Sequence, residues 1–307
     1  MVYILTGKEM TVGELKTNFE KQLEGFYSST EIKNFFNYIL SDLLEVPKLT
    51  ILSQPNKQLG ENILGQIPEI VLKLKNNEPL QYILGKTEFY GLTLNVNPSV
   101  LIPRPETEEL VDWIIKENKG KKLNILDVCT GSGCIALALK QNIPQCSVTA
   151  LDDSEAALEV AKGNARDLKL DVKFMKADAL KLVNTLQPSY DIIVSNPPYV
   201  TESEKHFMQK NVLQFEPHMA LFVADNDPLI FYNAIADFVK SQVPHSKPLP
   251  LRGEAEGNHK TVQVYFEINE GKAMEISNLL GKKGFKDIVV RKDINGKDRM
   301  LKCTYIC

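Results

Sequence analysis

Arginine is missing from the first 90 residues, which hold nine lysines and eleven acids instead. A surface built to grip nucleic acid clusters lysine and arginine on one basic face. The formal net charge of −3 supplies no general attraction to phosphate either. DNA or RNA is therefore not expected as the direct substrate. No apolar run approaches the length of a membrane span, so no membrane partner is expected. The five cysteines (Cys129, Cys134, Cys146, Cys303 and Cys307) are scattered, with no C-x-x-C pair. No His/Cys group has zinc spacing, so reduced thiols and no metal are expected. The four histidines, His206, His218, His245 and His259, lie in polar or loop-like stretches and are assigned no catalysis. Residues 1–9 lack both the charged-then-apolar order of a secretory signal and the arginines of a transit peptide, which makes the cytoplasm the expected location. Internal repeats and low-complexity tracts are absent.

What is present suffices for two domains, or for one large domain and an appendage: 307 residues, 43% of them hydrophobic. Residues 1–76 read as a small helical bundle. Thr11–Glu14 and Ser28–Glu31 fit the capping-box pattern. Ile32, Phe35, Phe36, Ile39, Leu40, Leu43 and Leu44 then recur at helical spacing, and a third helix is expected over 61–76. Residues 80–100 read as a hairpin, with Tyr82-Ile83-Leu84 among its strand residues. Pro103 to Glu109 opens a helix, with proline and acids in the first turn. From 123 onward strands are expected near 123–128, 147–152, 172–176, 190–195, 262–268, 286–291 and 299–306. Helices are expected over 132–142, 154–167, 228–241 and 272–283. That alternation predicts an α/β fold, a mostly parallel sheet covered on both faces. Residues 244–260, rich in proline, glycine and charge, read as a mobile loop.

The most informative residues are Asn196-Pro197-Pro198-Tyr199, at the end of the apolar run Tyr190–Ser195. Ligands bind at that end of such sheets. The prolines fix the backbone and remove two donors, leaving carbonyl acceptors. Asn196 adds a side-chain oxygen, and Tyr199 a flat face. Two acceptors converging on one point suit a planar NH2 group. By itself an Asn-Pro step is also a common turn.

A second constellation follows the strand Ile125-Leu126-Asp127. The turn Cys129-Thr130-Gly131-Ser132-Gly133 precedes a helix, and its glycines let a ligand approach the backbone. The next strand ends in Asp152, nineteen residues after Gly133, where a ribose-binding acid belongs. The third glycine of the dinucleotide fingerprint is missing, which disfavours a nicotinamide dehydrogenase. Asp127 repels phosphate but suits a cationic amino-acid tail. S-adenosylmethionine carries an ammonium, a sulfonium and a ribose, and no phosphate. Asp127 is expected at its amino-acid end, and Asp178, after the third strand, near its adenine. Each feature alone has a bland reading, as a turn or a helix cap; in order and at strand ends they point together to this cofactor.

The chain resembles the bacterial release-factor glutamine N5-methyltransferases, the HemK/PrmC family. The resemblance rests on Glu78–Gly85, Leu101–Glu108, the T-G-S-G turn, Asn196–Tyr199, Phe215-Glu216-Pro217 with Ala220-Leu221, and Asn295–Arg299. It implies a seven-stranded Rossmann-like class I methyltransferase domain over 101–307, a hairpin linker over 78–100, and an N-terminal helical domain over 1–77 that docks the substrate. It further implies methylation of the glutamine amide in the Gly-Gly-Gln motif of class-1 peptide release factors. Cofactor contacts carry over to Cys129, Thr130, Gly131, Ser132, Gly133, Asp152 and Asn196, and substrate contacts to Asn196, Pro197, Pro198 and Tyr199. Two departures stand out. Cys129 replaces the family's usual glycine, and the 244–260 stretch is longer and more polar than usual.

Asn196, Pro197 and Tyr199 are thus the expected catalytic group, with Asn196 and the Pro197 carbonyl accepting the two amide N–H groups. Arg104 and Glu106 are assigned a structural or gating role. A glutamine methyltransferase for a ribosomal protein would share every motif above. An exocyclic-amine methyltransferase would use the same tetrapeptide, but should flip a base and grip phosphates. A catalytically dead cofactor-binding module is opposed by the intact motif set.

Overall fold

The computed structural model describes residues 9–184, 190–241 and 261–306. The expected loop over 244–260 therefore lies outside the described residues, as do His245, His259 and Cys307. The chain divides into two compact units. One comprises residues up to Lys86 together with Gln209–Phe215, the other Thr87–Met208 and the residues from Glu216.

In the first unit, β1 (Met10–Thr11) leads into α1 (Val12–Leu23), followed by α2 (Ser29–Tyr38) and a π-helical turn over Ile39–Leu43. Then come α3 (Lys48–Ser53), β2 (Gln58–Leu59, antiparallel to β1), α4 (Glu61–Leu64), α5 (Ile67–Lys75) and α6 (Leu80–Leu84). Both expected capping boxes form: Thr11 and Ser28 each cap the third residue of their helix, and Glu14 and Glu31 reach back. The apolar positions share one core, with Leu15, Phe19, Leu23, Leu40 and Leu74 fully buried. Two expectations need correction. The helix expected over 61–76 is split, and α5 starts afresh at Ile67-Pro68. Tyr82-Ile83-Leu84 lie in α6 rather than in a hairpin strand. Their β-forming character is overridden by the punctuation around them: Pro79 stands at the N-cap, and Gly85, at φ +70°, closes the helix in the left-handed conformation.

The hairpin itself is β3 (Lys86–Phe89) and β4 (Leu92–Asn95). In the second unit follow α7 (Pro105–Asn118), β5 (Asn124–Val128), α8 (Cys134–Asn142), β6 (Ser147–Asp152), α9 (Glu155–Leu168), β7 (Lys173–Lys176) and β8 (Ile192–Ser195). The chain continues through β9 (Val200–Thr201), α10 (Lys210–Phe215, in the first unit), β10 (Phe222–Val223), α11 (Ile230–Ser241), β11 (Thr261–Glu267), α12 (Ala273–Lys282), β12 (Lys286–Lys292) and β13 (Asp298–Ile306). The hairpin is tied to the second unit's helices: the Tyr90 N–H donates to Glu108 and the Asn95 N–H to Asn164.

Seven strands form one sheet in the order β12-β13-β11-β8-β5-β6-β7, parallel except for β13. This is the seven-stranded class I methyltransferase arrangement. Central strands are buried on both faces and alternate between two cores. Ile125, Ile192, Val194 and Tyr265 face the side of α7 and α8; Leu126, Ile193, Val264 and Phe266 face α11 and α12. The seven strands and the helices expected beyond residue 103 all form, with bounds that agree to within two residues.

Phe36 is 1% exposed, and its ring centroid lies 5.6 Å from that of Phe19. Phe36→Ala should destabilise the helical unit by about 3–5 kcal/mol. Hydrogen exchange of the α1 amides reads this directly; a loss below about 1 kcal/mol would show that the core collapses around the deletion.

Candidate active site

The chain runs from β5 outward to β6 and β7, then returns to the other side of β5 with β8 and β11. The order therefore reverses between β5 and β8, where open sheets of this kind hold ligands beyond the strand ends. A cavity of about 400 Å³ opens there. Its wall is made by Cys129–Ser132 after β5, Asp152–Ser154 at the end of β6, Ala177–Leu180 after β7, and Asn196 and Pro198 after β8. Leu101, Pro103, Arg104, Thr107, Met219 and Phe222 are also among its lining residues.

The turn after β5 is folded onto the neighbouring strand end. Thr130 N–H donates to the Leu151 carbonyl (2.9 Å) and Gly131 N–H to Asp152 Oδ2 (2.9 Å), while Asp152 Oδ1 accepts from Ser154 N–H (2.9 Å). Asp152 is thus both a structural acceptor and a cavity-wall carboxylate, and burial raises its pKa. Gly133, at φ +83°, is a strained and crowded position for any side chain: an added Cβ would stand 3.2 Å from Ala161 Cβ and Leu137 Cδ1. Cys129 also takes the left-handed conformation, at φ +63°. The glycine-like backbone therefore survives there despite the side chain, which is held against the α11 and α12 core. Burial drives the Cys129 thiol far from ionisation and pushes that of Cys134 up to about 12.

Not every expected residue reaches the wall. Asp127, Gly133, Pro197 and Tyr199 do not line the cavity. Asp127 is fully buried behind the turn, where its Oδ2 accepts from Thr130 Oγ1 (2.6 Å) and from Ala136 N–H (3.2 Å). Among the described residues, neither its Oδ1 nor the buried Ser132 Oγ has a hydrogen-bond partner. Asp178 is on the wall, bound to Leu180 N–H (2.8 Å) and Lys181 (2.8 Å); the lysine lowers its pKa.

Tyr199 is anchored away from the cavity wall, its hydroxyl donating to Glu267 Oε1 (3.0 Å). Glu267 ends β11 on the face of Tyr265, and its other oxygen accepts from Thr107 Oγ1 (2.5 Å). Thr107 in turn accepts from Asn196 Nδ2 (3.3 Å). No described residue donates to Asn196 Oδ1 or to the Pro197 carbonyl. Arg104 pairs with the buried Glu216 (2.5 Å), which also accepts from Ile102 N–H (3.1 Å). In the sequence, Thr107 and Glu216 stand out only within larger motifs, without a role of their own, and Glu267 only within a strand. A signal for Glu267 was available: it closes the apolar run Val262–Phe266 as Asp127 and Asp152 close theirs.

A family model described as the methyltransferase small domain matches residues 107–222, and one described as the PrmC N-terminal domain matches residues 14–85. A protein of Flavobacterium psychrophilum named release factor glutamine methyltransferase is 42% identical over 300 residues, covering 96% of this chain and all of its own. The chain belongs to the release factor glutamine methyltransferase family. A Bacteroides thetaiotaomicron protein of the same name is 42% identical over 282 residues, covering 92% of this chain and 95% of its own. The crystal structure of a release-factor-specific protein-(glutamine-N5) methyltransferase from Alicyclobacillus acidocaldarius is 26% identical, covers 69% of this chain and 98% of its own, and superposes with a TM-score of 0.39. At that score the likeness adds nothing to the topology described above. As a member of this family the chain is an S-adenosylmethionine-dependent glutamine methyltransferase.

The residues present fit that cofactor. Two buried polar atoms without partners, Asp127 Oδ1 and Ser132 Oγ, flank a turn whose Gly131 would carry a Cβ into open space. A buried carboxylate suits an ammonium group, and no cation of the described residues pairs with it.

That uncompensated carboxylate has a cost in the free protein. Burial raises the Asp127 pKa to about 7, well above the ordinary aspartate value of 3.8. Its stabilising contribution is complete below the unfolded-state pKa and is lost as pH rises through about 7. Asp127→Asn should therefore stabilise the cofactor-free enzyme at pH 8 by on the order of a few kcal/mol, with little effect at pH 4. Urea unfolding at both pH values measures this. Calorimetry should show weaker binding of S-adenosylmethionine to the same variant. Equal stability of variant and wild type at pH 8 would refute the assignment.

Proposed function

We propose that the enzyme methylates the side-chain amide nitrogen of the glutamine in the Gly-Gly-Gln motif of class-1 peptide release factors. The names of its relatives support the substrate class. The observation that carries the chemistry is the fixed sense of Asn196: its NH2 is committed to Thr107, which leaves Oδ1 as a free acceptor at the cavity wall.

Asn196 Oδ1, at the cavity wall, accepts one N–H of the incoming carboxamide, and the Pro197 carbonyl, which lies off that wall, accepts the other. Neither Pro197 nor Pro198 has an N–H to compete for those acceptors. An amide nitrogen is a poor nucleophile because its lone pair is delocalised into the carbonyl. Two aligned acceptors draw density back onto nitrogen and stabilise the positive charge that grows there. S-adenosylmethionine, when bound, supplies a methyl group made electrophilic by its sulfonium. Thr130, Gly131 and Ser132 would hold its amino-acid end, with the Asp127 carboxylate acting from behind that turn, Asp152 its ribose and Asp178 its adenine side, and Cys129 and Asn196 completing the contacts. Pro198 packs beside the carboxamide, and Tyr199 fixes the tetrapeptide from behind through Glu267. The helical unit docks the protein substrate, and the reaction takes place in the cytoplasm.

Asn196→Ala should lower kcat by on the order of 10²–10³ at saturating cofactor, with cofactor affinity measured separately. Near-normal turnover would remove Asn196 from this role. For the substrate, enzyme and methyl-labelled cofactor are incubated with a release factor, and in parallel with one whose motif glutamine is replaced. Label is expected only in the first. Equal labelling of both would place the reaction on another residue.

A further inference from the structure

Among the groups that the reading above leaves unused, Glu267 is distinctive. It is a carboxylate, 2% exposed, at the tip of a central strand, one hydrogen bond behind a cavity-wall hydroxyl. We propose that Glu267 is a positioning residue which, through Thr107, fixes which end of the Asn196 carboxamide meets the substrate. This rests on the role given to Asn196 above.

The number of hydrogens available fixes the direction of each bond in this chain of contacts. A threonine hydroxyl has one hydrogen to donate, and an ionised carboxylate has none. Thr107 Oγ1 lies 2.5 Å from Glu267 Oε2, so its hydrogen points there. Toward Asn196, at 3.3 Å, Thr107 then presents only a lone pair. The NH2 end of Asn196 satisfies that lone pair. The carbonyl end would oppose it, oxygen against oxygen. Oδ1 is thereby kept available for a substrate N–H. Were Asn196 reversed, its NH2 would meet the NH2 of the substrate, and both would be donors.

The device depends on Glu267 being ionised, and its surroundings act in both directions. Burial raises its pKa, and Glu106 on α7 adds to that rise. The hydrogen bonds from Thr107 and Tyr199 and the charge of Arg299 lower it. Arg299 reaches the Tyr199 hydroxyl (3.5 Å) and is itself paired with Asp293 (3.2 Å) and Glu270 (3.7 Å). Tyr232 on α11 donates to the Glu267 main-chain carbonyl (3.1 Å) and not to the carboxylate. The net direction is upward. A protonated Glu267 can donate to Thr107, releasing the Thr107 hydrogen toward Asn196 and removing the bias.

The test uses the full-length enzyme and its protein substrate at saturating cofactor, so that titration of Asp127 or Asp152 in cofactor binding does not enter. Wild-type kcat should fall on the acid side, with a midpoint above the ordinary glutamate range. Glu267→Gln should lower kcat roughly 10- to 100-fold, leave KM and cofactor affinity within about twofold, and abolish that acid limb. Thr107→Val should behave like Glu267→Gln, and Thr107→Ser should restore wild-type kcat. If Glu267→Gln fails to fold, the valine and serine variants decide between them. An acid limb that survives in a slow Glu267→Gln enzyme would reduce Glu267 to a tie between α7 and β11 and overturn the proposal. So would wild-type kcat in both Glu267→Gln and Thr107→Val while Asn196→Ala is inactive, an outcome that leaves the Asn196 reading standing. An active Asn196→Ala enzyme would instead remove the reading on which the proposal rests.

Discussion

Register between three parallel strands governs everything at the cavity. Ser195, the last residue of β8, pairs with Val128 on one side and with Phe266 on the other. Its buried hydroxyl also donates to the Val128 carbonyl (2.7 Å). The tips of β5, β8 and β11 therefore end level, and the next residues of each chain emerge side by side. A slip of one residue would turn Asn196 and Glu267 to the opposite face. The alternation of both strand faces between two filled cores makes such a slip prohibitive.

The same level ends collect negative charge. Asp127, Asp152 and Glu267 sit at the tips of three strands, and burial raises the pKa of all three. Each has a different remedy. Asp152 uses backbone N–H groups of the turn and of α9's approach. Glu267 uses two hydroxyls and a nearby guanidinium. Asp127 uses one hydroxyl and one N–H and keeps one oxygen bare. Of the three, the one left incomplete is the one best suited to a positively charged ligand. Arg104 does not offset the site's charge, because its own partner is the buried Glu216.

Much of this was legible in the sequence, for identifiable reasons. The sheet declared itself because central parallel strands are apolar runs bounded by acids and turns, and α7 because proline and glutamate mark its first turn. Asn196–Tyr199 and the glycine turn were legible as local segments with unusual chemistry. Helix α6 was misread because Tyr82 and Ile83 favour strands, whereas the decisive residues were the proline before and the glycine after. The network behind Asn196 was not legible at all. Thr107 and Glu267 are 160 residues apart and meet only when α7 lies across β11. Asp127 and Tyr199 were expected in contact with ligand, but their places behind the wall depend on side-chain direction, which motif spacing does not carry.

The short helix at Lys210–Phe215 bears on how this molecule can be taken apart. It follows the Asn196–Tyr199 tetrapeptide by only eleven residues, yet it belongs to the helical unit. The very next residue, Glu216, is buried in the other unit and clasps Arg104. A shortened chain starting at Thr87 would therefore strand Val212, Leu213 and Phe215 without the surroundings they fold with. Dissection by a single cut leaves an orphan on the larger fragment, so genetic separation of the two units has to remove or replace 209–215 as well.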